Sequence, residues 1–109
     1  MTYEFIQINE KKYPIKFGFN ALRKYSAKTN TSLSELDKLG SNMTLDGALI
    51  LIFCGIEDGY RAAKQDCLIT IDDLADLIDT DYDAIARAMK ILGDQMGGSK
   101  GKKTKAKKK

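Results

Sequence analysis

The stretch Leu45-Asp46-Gly47-Ala48-Leu49-Ile50-Leu51-Ile52-Phe53-Cys54-Gly55-Ile56-Glu57-Asp58-Gly59-Tyr60-Arg61-Ala62-Ala63-Lys64 decides the fold. Its middle, Leu49 to Cys54, is apolar on every side of a helix, which predicts a helix enclosed by other elements rather than one lying on a surface. Thr44 is the predicted N-cap, and Asp46 suits the positive end of the helix dipole. Glu57, Asp58, Arg61 and Lys64 return the chain to solvent. Gly47, Gly55 and Gly59 each cost about 1 kcal/mol relative to alanine, which close contact between helices would offset. The uncharged run from Ala48 to Ile56 is far shorter than the roughly 20 residues needed to span a bilayer.

Toward the N-terminus, residues 3–8 and 13–17 read as two strands around the polar turn Asn9-Glu10-Lys11-Lys12, because β-branched and aromatic residues flank it. Tyr13, Ile15 and Phe17 share one face, with Ile6 and Ile8 supplying the apolar side of the other strand. Pro14 has no N–H for a ladder, so its strand is an edge or begins there. An isolated hairpin is marginal and must lean on helices. Gly18 breaks the second strand, and Phe19, Leu22 and Tyr25 then recur at helical spacing over residues 19–28. Asn30 accepts the left-handed backbone that ends this helix, and Ser32-Leu33-Ser34-Glu35 has the side chains of a capping box for the next. Leu33, Leu36 and Leu39 form that helix's stripe, and Gly40 stops it.

Toward the C-terminus, Thr70 caps a further helix with Asp72 and Asp73 in its first turn and Leu74, Leu77 and Ile78 facing inward. Thr80 or Asp81 begins the last helix, with Ile85, Met89, Leu92 and Met96 on its stripe. Gly97-Gly98-Ser99 ends the ordered part, and the Lys100–Lys109 segment lacks the apolar side chains that would offset the entropy of ordering it. These elements predict an α+β chain, predominantly α: an N-terminal β-hairpin packed on about five helices, residues 1–96 forming one domain and 97–109 a disordered Gly/Lys-rich tail.

The chain has 109 residues and a formal charge of +3, but the sign is divided. Residues 1–97 hold 11 lysines and arginines against 15 acids, a balance of −4, while the tail carries seven lysines and no acid. The tail is compatible with phosphate binding, with an acidic protein partner, or with a plain soluble extension. It has no aromatic or arginine side chain for base stacking or bidentate readout. Histidine is absent, so Cys54 and Cys67 have no histidine partner for zinc and no imidazole base. They read as reduced thiols. The aspartates at 72, 73, 76, 79, 81 and 83 lack the glycine and terminal glutamate of an EF-hand loop and read as solvated first turns of helices. No cofactor, metal or catalytic constellation is expected, and no secretory signal is apparent at the N-terminus.

The run Tyr13-Pro14-Ile15-Lys16-Phe17-Gly18-Phe19-Asn20-Ala21-Leu22-Arg23-Lys24-Tyr25 resembles the opening of tail assembly chaperones of long-tailed bacteriophages, particularly phages and prophages of Gram-positive bacteria. In that family a small hairpin leads through a Phe-Gly-Phe-like junction into a helix, a Thr-Gly-type stop and a helical remainder. Asn30 stands here where glycine is frequent. The block from Leu68 to Ile78 is similar to the family's second recognisable segment. The resemblance implies a cytoplasmic assembly factor, absent from the finished virion, that binds the tape-measure protein and helps recruit tail-tube subunits without catalysis. It also gives the lysine tail another meaning. Gly101-Lys102-Lys103 and Lys107-Lys108-Lys109 are compatible with slippery codons, which in this family yield a longer frameshifted product.

The expected partner surfaces are Phe19, Leu22 and Tyr25, the hairpin edge, and tail lysines such as Lys102, Lys103 and Lys107, although the three apolar residues serve equally well as core. Self-association is left open. The alternative function is a small nucleic-acid-associated protein that binds phosphate through its lysine tail.

Overall fold

The computed structural model describes residues 3–32, 34–35 and 43–96. The hairpin comprises β1 (Glu4–Ile8) and β2 (Lys11–Ile15), and four helices follow: α1 (Phe19–Thr29), α2 (Leu45–Ala62), α3 (Ile71–Asp79) and α4 (Asp83–Met96). The architecture is α+β and mainly helical, with four helices among the described residues rather than about five. The expected helix after Ser32 falls largely on residues 33 and 36–42, outside the described residues. At its start, Glu35 Oε1 accepts from the Ser32 backbone N–H at 2.9 Å, which is one half of the anticipated capping box.

The two strands are antiparallel, with Ile6 opposite Tyr13 and Ile8 opposite Lys11. The connecting turn is Asn9-Glu10, two residues shorter than expected. Asn9 takes φ 58°, in the left-handed region that asparagine tolerates, so Lys11 and Lys12 are free to extend β2. Ile6, Ile8, Tyr13, Ile15 and Phe17 point into the core as anticipated.

α1 ends as the sequence indicates, with Asn30 at φ 56°, ψ 39° donating its backbone N–H to the Ser26 carbonyl. Thr44 caps α2 by accepting from the Gly47 N–H at 2.9 Å. At α3 a full capping box forms: the Thr70 hydroxyl accepts from the Asp73 N–H, and the Asp73 carboxylate accepts from the Thr70 N–H.

α2 is the axis of the molecule. Leu51, Ile52, Cys54 and Ile56 are buried on it, Ile52 at 1% exposure. Its glycines are explained mainly by the hairpin rather than by another helix. A Cβ on Gly59 would lie 2.4 Å from backbone atoms of Pro14 and Ile15, and one on Gly55 would lie 2.7 Å from the Phe17 ring. The Gly55 carbonyl also accepts the Lys16 N–H at 2.9 Å. Two glycines four residues apart thus open one face of the helix to a strand backbone.

α4 begins at Asp83 instead of Thr80 or Asp81, and the Asp81 carbonyl accepts the Ala84 N–H at 3.0 Å just ahead of it. Its buried stripe is Ala84, Ala88 and Leu92, while Ile85 and Met89 are only partly buried. The expected Ile85–Met89 stripe is therefore rotated toward the rim. Alanines let α4 approach closely, and Gln95 marks its contact with the hairpin: Gln95 Oε1 accepts the Phe17 N–H at 2.7 Å. No helix among the described residues is long and apolar enough to cross a membrane.

Candidate functional site

The three residues expected at a partner surface are divided by the fold. Tyr25 is 6% exposed and belongs to the core, with its hydroxyl 3.6 Å from where a Cβ on Gly47 would lie. Leu22 is half-buried against that core. Phe19, the first residue of α1, is 79% exposed. Of these three, Phe19 alone presents its apolar side chain to solvent. Lys102, Lys103 and Lys107 lie outside the described residues.

A second apolar surface, which sequence reading did not find, opens where the N-terminal end of α2 diverges from α3 and α4. It is a groove of about 340 Å³ lined by Leu45, Leu49, Ala75, Ile78, Tyr82 and Ile85, with Asp46 and Asp79 also contributing. Leu45 is 78% and Tyr82 72% exposed, although both are large apolar side chains at the lip of a hydrophobic cleft. The available signal was positional. Leu45 is the first residue of α2 and Tyr82 immediately precedes α4, so neither can reach the stripe its helix buries.

Among the described residues, the charged side chains that line this groove, Asp46 and Asp79, are both acidic. α3 carries Asp72, Asp73, Asp76 and Asp79 with no basic residue, and its C-terminal turn has none to offset the negative end of the helix dipole. Among the described residues, no lysine or arginine lines the groove. α1, on another part of α2, has the opposite character, with Arg23, Lys24 and Lys28 and no acid.

Asp81 was expected among the solvated first-turn acids and instead ties the hairpin to the helices. Its Oδ2 accepts the Asn9 N–H at 2.8 Å, and Arg87 donates to both of its oxygens at 2.9 and 3.2 Å. Arg87 also donates to the Gln7 carbonyl, and the Asn9 side-chain amide donates to the Leu77 carbonyl. The Arg87 hydrogen bonds, joined by the Asn9 N–H, hold the Asp81 carboxyl below the usual carboxylate range. This clamp fixes the α3–α4 connection, and with it Tyr82 and the groove's wall.

Asp58 is a buried carboxylate at 1% exposure. Its Oδ1 accepts from Nε and Nη2 of Arg61 at 3.1 and 2.9 Å, while Oδ2 has no hydrogen-bond partner among the described residues and lies 3.4 Å from where a Cβ on Gly18 would be. Gly18 is the N-cap of α1 and offers no capping side chain, so Asp58 brings negative charge to the positive end of that helix.

Both cysteines are free thiols. Burial, reinforced by Glu57, pushes Cys54 up to about 11, and burial likewise raises Cys67. Neither environment favours the reactive thiolate. Among the described residues, no three acidic or cysteine side chains converge in a way that could hold a metal ion.

Comparison with family models, with curated proteins and with solved structures finds no match to this chain.

Proposed function

We propose that this chain is a tail assembly chaperone of a long-tailed bacteriophage or prophage. It acts in the host cytoplasm, binds the tape-measure protein through its folded domain, helps recruit tail-tube subunits, and performs no catalysis. The observation that carries the reading is the succession of hairpin, Gly18 junction, α1 and left-handed stop at Asn30. This is the element order of the family that the Tyr13–Tyr25 run resembles. The backbone at Asn30 also accounts for the departure from the family's usual glycine, because asparagine enters the left-handed region more readily than most residues.

The exposed apolar surfaces add physical sense. A long tape measure with apolar helical faces aggregates unless they are covered, and Phe19 together with the Leu45–Tyr82 groove gives a small domain surface with which to cover them reversibly.

Co-expression of the intact chain with the tape-measure protein of the same phage tests the proposal. The tape measure is expected in the soluble fraction, and the complex is expected to survive 1 M salt, where the Debye length is about 3 Å and attraction to exposed tail lysines is screened. An insoluble tape measure, together with salt-sensitive binding of duplex DNA by the chain, would replace this reading with the nucleic-acid one.

A further inference from the structure

We infer that the groove between α2, α3 and α4 binds an amphipathic helix whose apolar stripe is flanked by lysines or arginines. The inference rests on the chaperone reading only for who supplies that helix. Its chemistry follows from the groove itself.

The floor is apolar, formed by Leu49, Ala75, Ile78 and Ile85. Its walls are helical and offer no strand edge. An extended peptide laid there would bring N–H and C=O groups into an apolar cleft without partners, at a substantial desolvation penalty. A helix satisfies its own backbone and presents side chains at i, i+3, i+4 and i+7 to such a groove. Leu45 and Tyr82 stand at the lip, ready to close over an inserted side chain, and aromatic residues in that position commonly dominate binding. Charge then selects among helices. Asp46 and Asp79 line the groove and, among the described residues, no cationic side chain does. Cations flanking the apolar stripe are attracted there and carboxylates are repelled.

The test uses the intact chain and two synthetic peptides of about five helical turns, identical in their leucine stripe and flanked by lysines in one and glutamates in the other. Binding is read by fluorescence anisotropy. The lysine peptide is expected to bind at least about tenfold more tightly than the glutamate peptide. Leu45→Ser and Tyr82→Ser are each expected to weaken it by at least about tenfold. Asp79→Lys, a change that suits a helix C-terminus, should narrow or reverse the preference between peptides. Leu68→Ser, exposed on the connection before α3, should bind as the parent does.

Equal binding of both peptides, or retained affinity in the Leu45 and Tyr82 variants, overturns the proposal. So does a self-association of the chain that Tyr82→Ser abolishes, since the groove's occupant is then a second copy. A peptide of residues 97–109 that binds as tightly as the lysine–leucine peptide overturns it as well, because rim charge alone then suffices. Groove-dependent peptide binding beside an insoluble tape measure keeps this inference and removes the chaperone reading. A tape measure kept soluble by a chain that binds neither peptide does the reverse.

Discussion

The two halves of α2 are packed on different terms. At Gly59 the helix meets the β2 backbone, and at Gly55 it meets the Phe17 ring and the Ile15 side chain, with no room for a methyl group at either. Around Leu45 and Leu49, about two to four turns earlier, the neighbouring helices stand off and leave a cleft lipped by two large exposed side chains. One element thus has a sealed end and an open end. The difference teaches how a small domain divides its labour: the C-terminal half of α2 anchors the hairpin and makes the fold, while the N-terminal half leaves apolar surface for something else. Substitutions can separate the two.

The largest effect belongs to the sealed end. Gly59→Ala gains helix propensity worth about 1 kcal/mol but drives a methyl into the Pro14 carbonyl at 2.4 Å. Because the obstacle is backbone, no side chain can swing aside. A loss above about 4 kcal/mol is expected in chemical denaturation, a large fraction of the roughly 5 to 15 kcal/mol that holds a domain folded. A stable Gly59→Ala protein would mean that the hairpin is not seated on α2 as described.

Next comes Ile52→Ala in the middle of the same helix, expected to lose about 2 to 5 kcal/mol because the site is enclosed on all sides. A loss below about 0.5 kcal/mol would contradict the enclosed position of α2. Arg61→Ala is smaller. It leaves the buried Asp58 carboxylate without either of its donors, and hydrogen bonds to charged groups contribute about 1.5 to 3 kcal/mol.

The clamp on the groove's wall makes a pH-dependent contribution. Asp81 has its folded pKa lowered below the ordinary value of 3.8, so its contribution is present above that value and is lost as pH falls through the folded pKa. The stability difference between the parent and Asp81→Asn should therefore be constant near neutrality and shrink as the solution is acidified below about pH 4. A difference that is unchanged at pH 2 to 3 would show that Asp81 does not act through its charge.

How much of this was legible in sequence follows the same division. The hairpin faces, the Thr44 and Thr70 caps, the Asn30 stop and the enclosed α2 depend on short-range pattern: alternation, side chains that cap the next turn, and a residue that tolerates positive φ. These were read correctly. What escaped depends on contacts across more than 40 residues. Nothing near Asp81 announces that it will accept from Asn9, and nothing near Gly59 says that its neighbour is a strand backbone rather than a helix. The α4 stripe was misread for a related reason. Ile85 and Met89 have the larger side chains, but Ala84 and Ala88 face the core because closeness to the hairpin and α2 selected small residues there. Ile85 was left to floor the groove. The groove itself is a gap between elements, which no periodicity encodes.

The Leu45→Ser, Tyr82→Ser double variant bears most directly on the sealed and open ends. Both side chains are mostly exposed, so unfolding is expected to shift by no more than about 0.5 kcal/mol per site. Co-expressed with the tape-measure protein, that variant should fold as the parent does and leave the tape measure insoluble. A double variant that keeps the tape measure soluble would contradict the account, since the open end of α2 would then bind nothing that the chaperone needs to hold.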